Sequence, residues 1–203
     1  MSDFLLYLRL GFDHITDPRG YDHILFVVAL CAVYSLAQWR QVLVLVTAFT
    51  LGHSITLALA TLRFFTYRTD VVELLIPVTI LVTSVLNLFV REPRQNQFAT
   101  RNGPGQNWGR YGLALVFGLV HGLGFANYLR SLLGAEADLL RPLLAFNIGL
   151  ELGQLLVVAA VLAVAHLVLQ LTQVRRREWV LVLSGGVADM AISLLLANKL
   201  VAG

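Results

Sequence analysis

Apolar and polar positions fall along this chain in long blocks. Six apolar runs stand out, at about 21–38, 41–62, 71–90, 110–133, 141–171 and 178–198. About 20 apolar residues at 1.5 Å per residue cross a hydrocarbon core of about 30 Å, so each run predicts a membrane-spanning helix. Before the first run, Phe4-Leu-Leu-Tyr-Leu-Arg-Leu-Gly-Phe12 is apolar but too short to span, and it is expected to lie at the membrane interface. It lacks a basic start followed by a cleavage site, so no signal peptide is expected. Pro18 and Gly20 break the chain ahead of the first span. Residues 91–109 form one long polar loop, and the fifth run is longer than a bilayer needs, which suggests tilt or an extension into water. The expected fold is an all-α integral membrane protein. It would be a six-helix bundle in one transmembrane domain, residues 1–203, with a short interfacial segment at the N-terminus.

Composition agrees. The 203 residues are 58% hydrophobic and 13% charged, and the mean hydropathy is +0.75. Soluble domains carry about 25% charged residues, so a water-soluble fold of this size could not hide so much apolar surface. The lone Cys31 excludes a disulfide within the chain and makes a thiolate metal site implausible. The net charge of +3 comes from arginines at the ends of apolar runs, a pattern suited to lipid headgroups rather than nucleic acid. With six spans, Arg40, Arg91, Arg94, Arg101, Arg110 and the triplet Arg175, Arg176 and Arg177 share one side. Arg9, Arg19, Arg63, Arg68, Arg130, Arg141 and Lys199 share the other. The denser clusters favour the first side as cytoplasmic, which puts both termini outside.

Within the apolar runs stand residues that lipid cannot satisfy. His53 sits in Phe49-Thr-Leu-Gly-His53-Ser-Ile-Thr-Leu-Ala58, and Phe117-Gly-Leu-Val-His121-Gly-Leu-Gly-Phe-Ala126 echoes it. A third run carries Glu151, with Asn147 and Gln154 completing a stripe at i, i+4 and i+7. His53, His121 and Glu151 each fall near mid-span. A charged residue there costs roughly 3 kcal/mol on insertion scales, so the three are expected to face one another, water or a cation. Asp22, His23, His14 and Glu73 belong to one end. Together the two groups sketch a path with an outer and a midplane cluster. Thr50 shares the His53 face, and Asn87 offers a polar way out. Imidazole and carboxylate without thiolate suit nickel, cobalt, zinc or iron(II). The plainer alternative is that these groups only hydrogen-bond between helices.

These residues also carry a family resemblance. Gly-Phe-Asp-His14, then Asp22-His23-Ile-Leu-Phe, then Ala48-Phe-Thr-Leu-Gly-His53-Ser-Ile-Thr-Leu-Ala58, then the His121 stretch and Phe146-Asn-Ile-Gly-Leu-Glu151-Leu-Gly-Gln154 resemble the HupE/UreJ family, in its UreJ-like second branch. The resemblance covers about residues 10–160. It implies a six-span bacterial inner-membrane protein that handles nickel by facilitated diffusion, with His14, Asp22, His23, His53, His121 and Glu151 in the metal role. Three features depart from the family pattern. The spacing from His14 to Asp22 is longer than usual, the His121 stretch lacks a glutamate of its own, and the last span carries Ala-Asp189-Met.

The leading expectation is therefore a divalent-metal permease, nickel or cobalt first, in contact with the lipid bilayer and with no nucleic-acid partner. The alternative is a non-transporting accessory or structural subunit of a membrane complex, and a homo-oligomer fits either reading. An intramembrane enzyme is not expected: the chain has no H-E-x-x-H helix, no G-x-S-x-G elbow and no phosphate loop.

Overall fold

The computed structural model describes residues 3–90, 108–133 and 139–198. The polar loop expected at 91–109 falls almost wholly outside the described residues, as does Lys199. Every regular element described is helical: α1 (Asp3–Thr16), α2 (Asp22–Cys31), a 3-10 turn (Leu36–Gln38), α3 (Trp39–Thr61), α4 (Thr69–Leu88), α5 (Trp108–Leu133), α6 (Leu140–Leu171) and α7 (Arg176–Ala197). Among the described residues, five helices are long and apolar enough to cross a membrane: α3 with the 3-10 turn before it, α4, α5, α6 and α7.

The first predicted span is corrected. The helix within 21–38 has 10 residues and stops at Cys31. At 1.5 Å per residue it is about 15 Å long, half a hydrocarbon core. Its end is held by Arg176, which donates to the Val33 carbonyl and to Gln38. The interfacial segment is corrected too. Residues 3–16 form a helix whose Tyr7, Gly11 and Ile15 are buried. Pro18 cannot continue that helix, and the break that follows is closed by Asp17, whose carbonyl accepts from Gly20 N–H and whose side chain accepts from Arg19 N–H. Two short helices thus meet at a hydrogen-bonded break, where an interfacial segment followed by a span over 21–38 was expected.

Glycines set how closely the helices approach. A Cβ on Gly52 would strike the Leu115 carbonyl, and Cβ atoms on Gly118 and Gly122 would strike the carbonyls of Phe49 and His53. The rising numbers on both sides make α3 and α5 parallel neighbours in backbone contact, the packing that small residues permit within membranes. Gly11 and Gly149 repeat the device between α1 and the first half of α6, where they face Phe146 and Leu8. Between α3 and α6 the contact is polar: Thr47 donates to Glu151, Thr50 to Gln154 and Ser54 to Asn147. The outer pairs, Thr47–Glu151 and Ser54–Asn147, run in opposite directions along the two helices, which are antiparallel. On α4, Asn87 ties the helix to α2 through the Ala29 carbonyl and to α7 through Ser184.

Candidate metal centre

The close α3–α5 contact buries His53 and His121 completely. The end of α1 and the start of α2 bring two more imidazoles to the same place. His14 and His23 ring centroids are 4.6 Å apart, His23 and His53 are 5.5 Å apart, and His14 and His53 are 6.0 Å apart. One nitrogen from each of His14, His23 and His53 lies within 4.8 Å of the others. His121 stands beside them, 5.0 Å from His23.

Hydrogen bonding separates the nitrogens that are occupied from those that are not. Asp22 Oδ1 accepts the His23 backbone N–H at 2.9 Å and lies 3.1 Å from His23 Nδ1. A carboxylate can only accept, so Nδ1 carries the proton and the Nε2 lone pair is left. Thr79 Oγ1 donates its one proton to the Ile76 carbonyl at 2.7 Å and lies 2.8 Å from His121 Nε2. It therefore accepts from Nε2–H, and the lone pair of His121 is on Nδ1. His14 Nε2, His23 Nε2, His121 Nδ1 and both nitrogens of His53 are buried with no hydrogen-bond partner among the described residues. Buried polar atoms without partners are rare and call for a cause. A divalent cation on three neutral imidazoles would supply one, and three such ligands leave room for water or a ligand in transit. Asp22 then acts as the outer partner that fixes the ring of His23, as carboxylates commonly do behind metal-bound histidines.

The remaining sequence candidates lie elsewhere. The expected outer and midplane clusters are not separate, since His14 and His23 of the first group stand against His53 of the second. Glu151 accepts from Thr47 and is not in the imidazole group; Asn147 and Gln154 serve the same α3–α6 contact, and Gln154 occupies Thr50. Glu73 lines an open groove of ≈ 420 Å³ together with Arg19, Asp22 and Pro77. Pro77 has no N–H to return to the Glu73 carbonyl. On the other side of the imidazoles, Phe26 and Phe49 pack 4.6 Å apart and each lies near His121. Phe117, 6.0 Å from Phe26, borders a cavity of ≈ 40 Å³ that Thr83, Asn87 and Arg110 also line. Asn87 is thus both a helix tie and a lining residue. Thr79 was missed at the sequence level. Its signal was the stripe Thr79, Thr83 and Asn87 at i, i+4 and i+8 on α4.

Comparison with known proteins gives one match. The family model described as HupE / UreJ protein matches residues 1–198. No curated protein and no solved structure matches the chain. The family is one of membrane transporters and accessory proteins linked to nickel and cobalt handling. With its lipid-crossing helices, its inward-facing imidazoles and a family match across essentially its whole length, this chain belongs to the HupE/UreJ family.

Proposed function

We propose that the protein is a permease for a divalent transition-metal ion, nickel or cobalt first, and that His14, His23 and His53 form its ion-binding station. One observation carries the reading: three imidazole nitrogens within 4.8 Å of one another, buried, in a cluster whose free ring nitrogens have no other partner. The ion approaches through the groove at Glu73 and Asp22. Asp22 draws it electrostatically and holds the His23 ring in place. His121 is the next station, and the α4 stripe of Thr79, Thr83 and Asn87 leads from it towards the cavity beside Arg110. In this state the Phe26 and Phe49 rings close the far side, so release requires them to move. The reading places the protein in a bacterial inner membrane with both termini outside.

The accessory-subunit reading is favoured by a different observation. The whole Asn147, Glu151 and Gln154 stripe is engaged in holding α6 to α3, so these polar groups serve packing. A structural ion on the imidazoles would complete that picture without transport.

Two measurements separate the readings. Purified protein in lipid nanodiscs is equilibrated with nickel and its bound metal counted, and nickel uptake is followed in cells expressing the same variants. The permease reading expects about one ion per chain, lost in His53→Ala at unchanged protein level, together with uptake that the same substitution abolishes. Metal retained by His53→Ala removes the site. Metal bound without any gain in uptake removes the permease.

A further inference from the structure

α7 buries the stripe Val180, Ser184, Val187 and Ala191 against the bundle. Asp189 lies two residues from both Val187 and Ala191, which at 100° per residue puts it at the centre of the opposite face. It is exposed, and no hydrogen bond or ion pair reaches it among the described residues. Val182 and Leu196, 76% and 65% exposed, flank it along the same face. One turn before it, Gly185 and Gly186 have open space where a Cβ would stand. An acid on the outer face of a lipid-crossing helix has no partner in hydrocarbon, and such residues mark contacts with something else.

α1 carries the complementary feature. Its exposed face holds Leu5, Leu6, Arg9 and Asp13. Arg9 Nε is 3.5 Å from Asp13, and both side chains are exposed, so the guanidinium faces outward from the bundle. Contacts between helices give the relative depths. Gly11 lies against Phe146 and Leu150, Asn147 against Ser54, Gly122 against His53, and His121 against Thr79 in the middle of α4. The Asn87–Ser184 bond sets the antiparallel register of α4 and α7, which brings Asp189 level with Val82. Arg9, two residues before Gly11, is then about six residues, or about 9 Å, from Asp189 in depth, a gap that the arginine and aspartate side chains can bridge between them.

We propose that copies of this chain associate in the membrane through these two faces, with Arg9 on α1 of one copy bridging to Asp189 on α7 of the next. The two glycines allow close approach of the incoming helix. Because the two faces differ, the contact closes either as a ring or as a pair in which both contacts form at once. A contact of α7 with α7 would set Asp189 against Asp189 and leave Arg9 unused.

The test is energy transfer between donor-fused and acceptor-fused full-length chains in liposomes. Wild type is expected to associate. Arg9→Glu alone and Asp189→Lys alone are each expected to lower association about tenfold, through like-charge contact. Mixing Arg9→Glu chains with Asp189→Lys chains restores opposite charges at both contacts and is expected to restore transfer, which also shows that both variants are folded. The double variant carrying both Arg9→Gln and Asp189→Asn has no charge at either contact and is expected to weaken association, whereas mixing the two single neutral variants restores one Arg9–Asp189 contact and is expected to recover part of it. Monomeric wild type, single variants that associate like wild type, or a charge-reversed mixture that stays dissociated would each overturn the proposal. So would transfer only to a different membrane protein bearing a basic helix.

Discussion

Thr79 Oγ1 lies 2.8 Å from His121 Nε2 while its own proton goes to the Ile76 carbonyl. This one hydroxyl decides which nitrogen of His121 is free. Thr79→Val keeps the shape and removes the acceptor. Nickel uptake is expected to fall about tenfold, the size seen when outer partners of metal-binding histidines are lost. Metal bound at the three-imidazole site should stay within about twofold. Thr79→Ser should restore uptake, and nitrogen NMR of labelled histidine should report the change in His121 tautomer. Equal uptake in Thr79→Val and wild type would contradict the assignment.

Asp22 holds His23 in the same way, through Nδ1. Asp22→Ala is expected to weaken nickel binding about 10- to 100-fold without abolishing it. His23→Ala removes a ligand and should leave no measurable ion. Isothermal titration with nickel distinguishes the two, and an Asp22→Ala protein as empty as His23→Ala would make Asp22 a ligand itself.

Glu151 is predicted to matter for packing and not for the ion. Its oxygen accepts from Thr47, and glutamine can still accept there. Glu151→Gln should therefore keep metal content within about twofold. Glu151→Leu should destabilise the fold by roughly 1 kcal/mol, the usual worth of a polar contact between membrane helices. Thermal unfolding in detergent and metal counting are read on the same samples. Loss of metal in Glu151→Gln would return this carboxylate to the site.

Gly118 leaves no room for a side chain, since its Cβ would meet the Phe49 carbonyl. Gly118→Leu should separate α3 from α5, cost about 1–3 kcal/mol or more, and pull His53 away from His121. Loss of both folded protein and bound metal is expected, whereas Gly112→Leu, at a position with open space, should leave both nearly unchanged.

Much of this was legible in the chain itself. Long apolar runs can only be helices when no water is present to satisfy the backbone, so the five spanning helices follow from hydropathy. The imidazoles at positions 14, 23, 53 and 121 stood out because lipid leaves such groups without partners. Other parts were not legible. The run at 21–38 reads as a span because hydropathy registers apolar residues and not the turn after Cys31 or the hold that Arg176, far along the chain, exerts on Val33. His14 sits on an irregular spacing, yet the break at Pro18 and Gly20 lets α1 turn its end inward and bring that ring to His23. Glu151 looked like a ligand at equal depth. Depth says nothing of azimuth, and its side of α6 faces Thr47.

The sequence by itself determined that this is a helical membrane protein with unsatisfied nitrogen donors inside it, because transfer of apolar surface and the absence of water act residue by residue. Only the tertiary structure decided which donors meet. That choice depends on helix rotation and close approach, set by Gly52, Gly118 and Gly122 on one pair and by Gly11 and Gly149 on the other, and these are contacts between residues far apart in the chain.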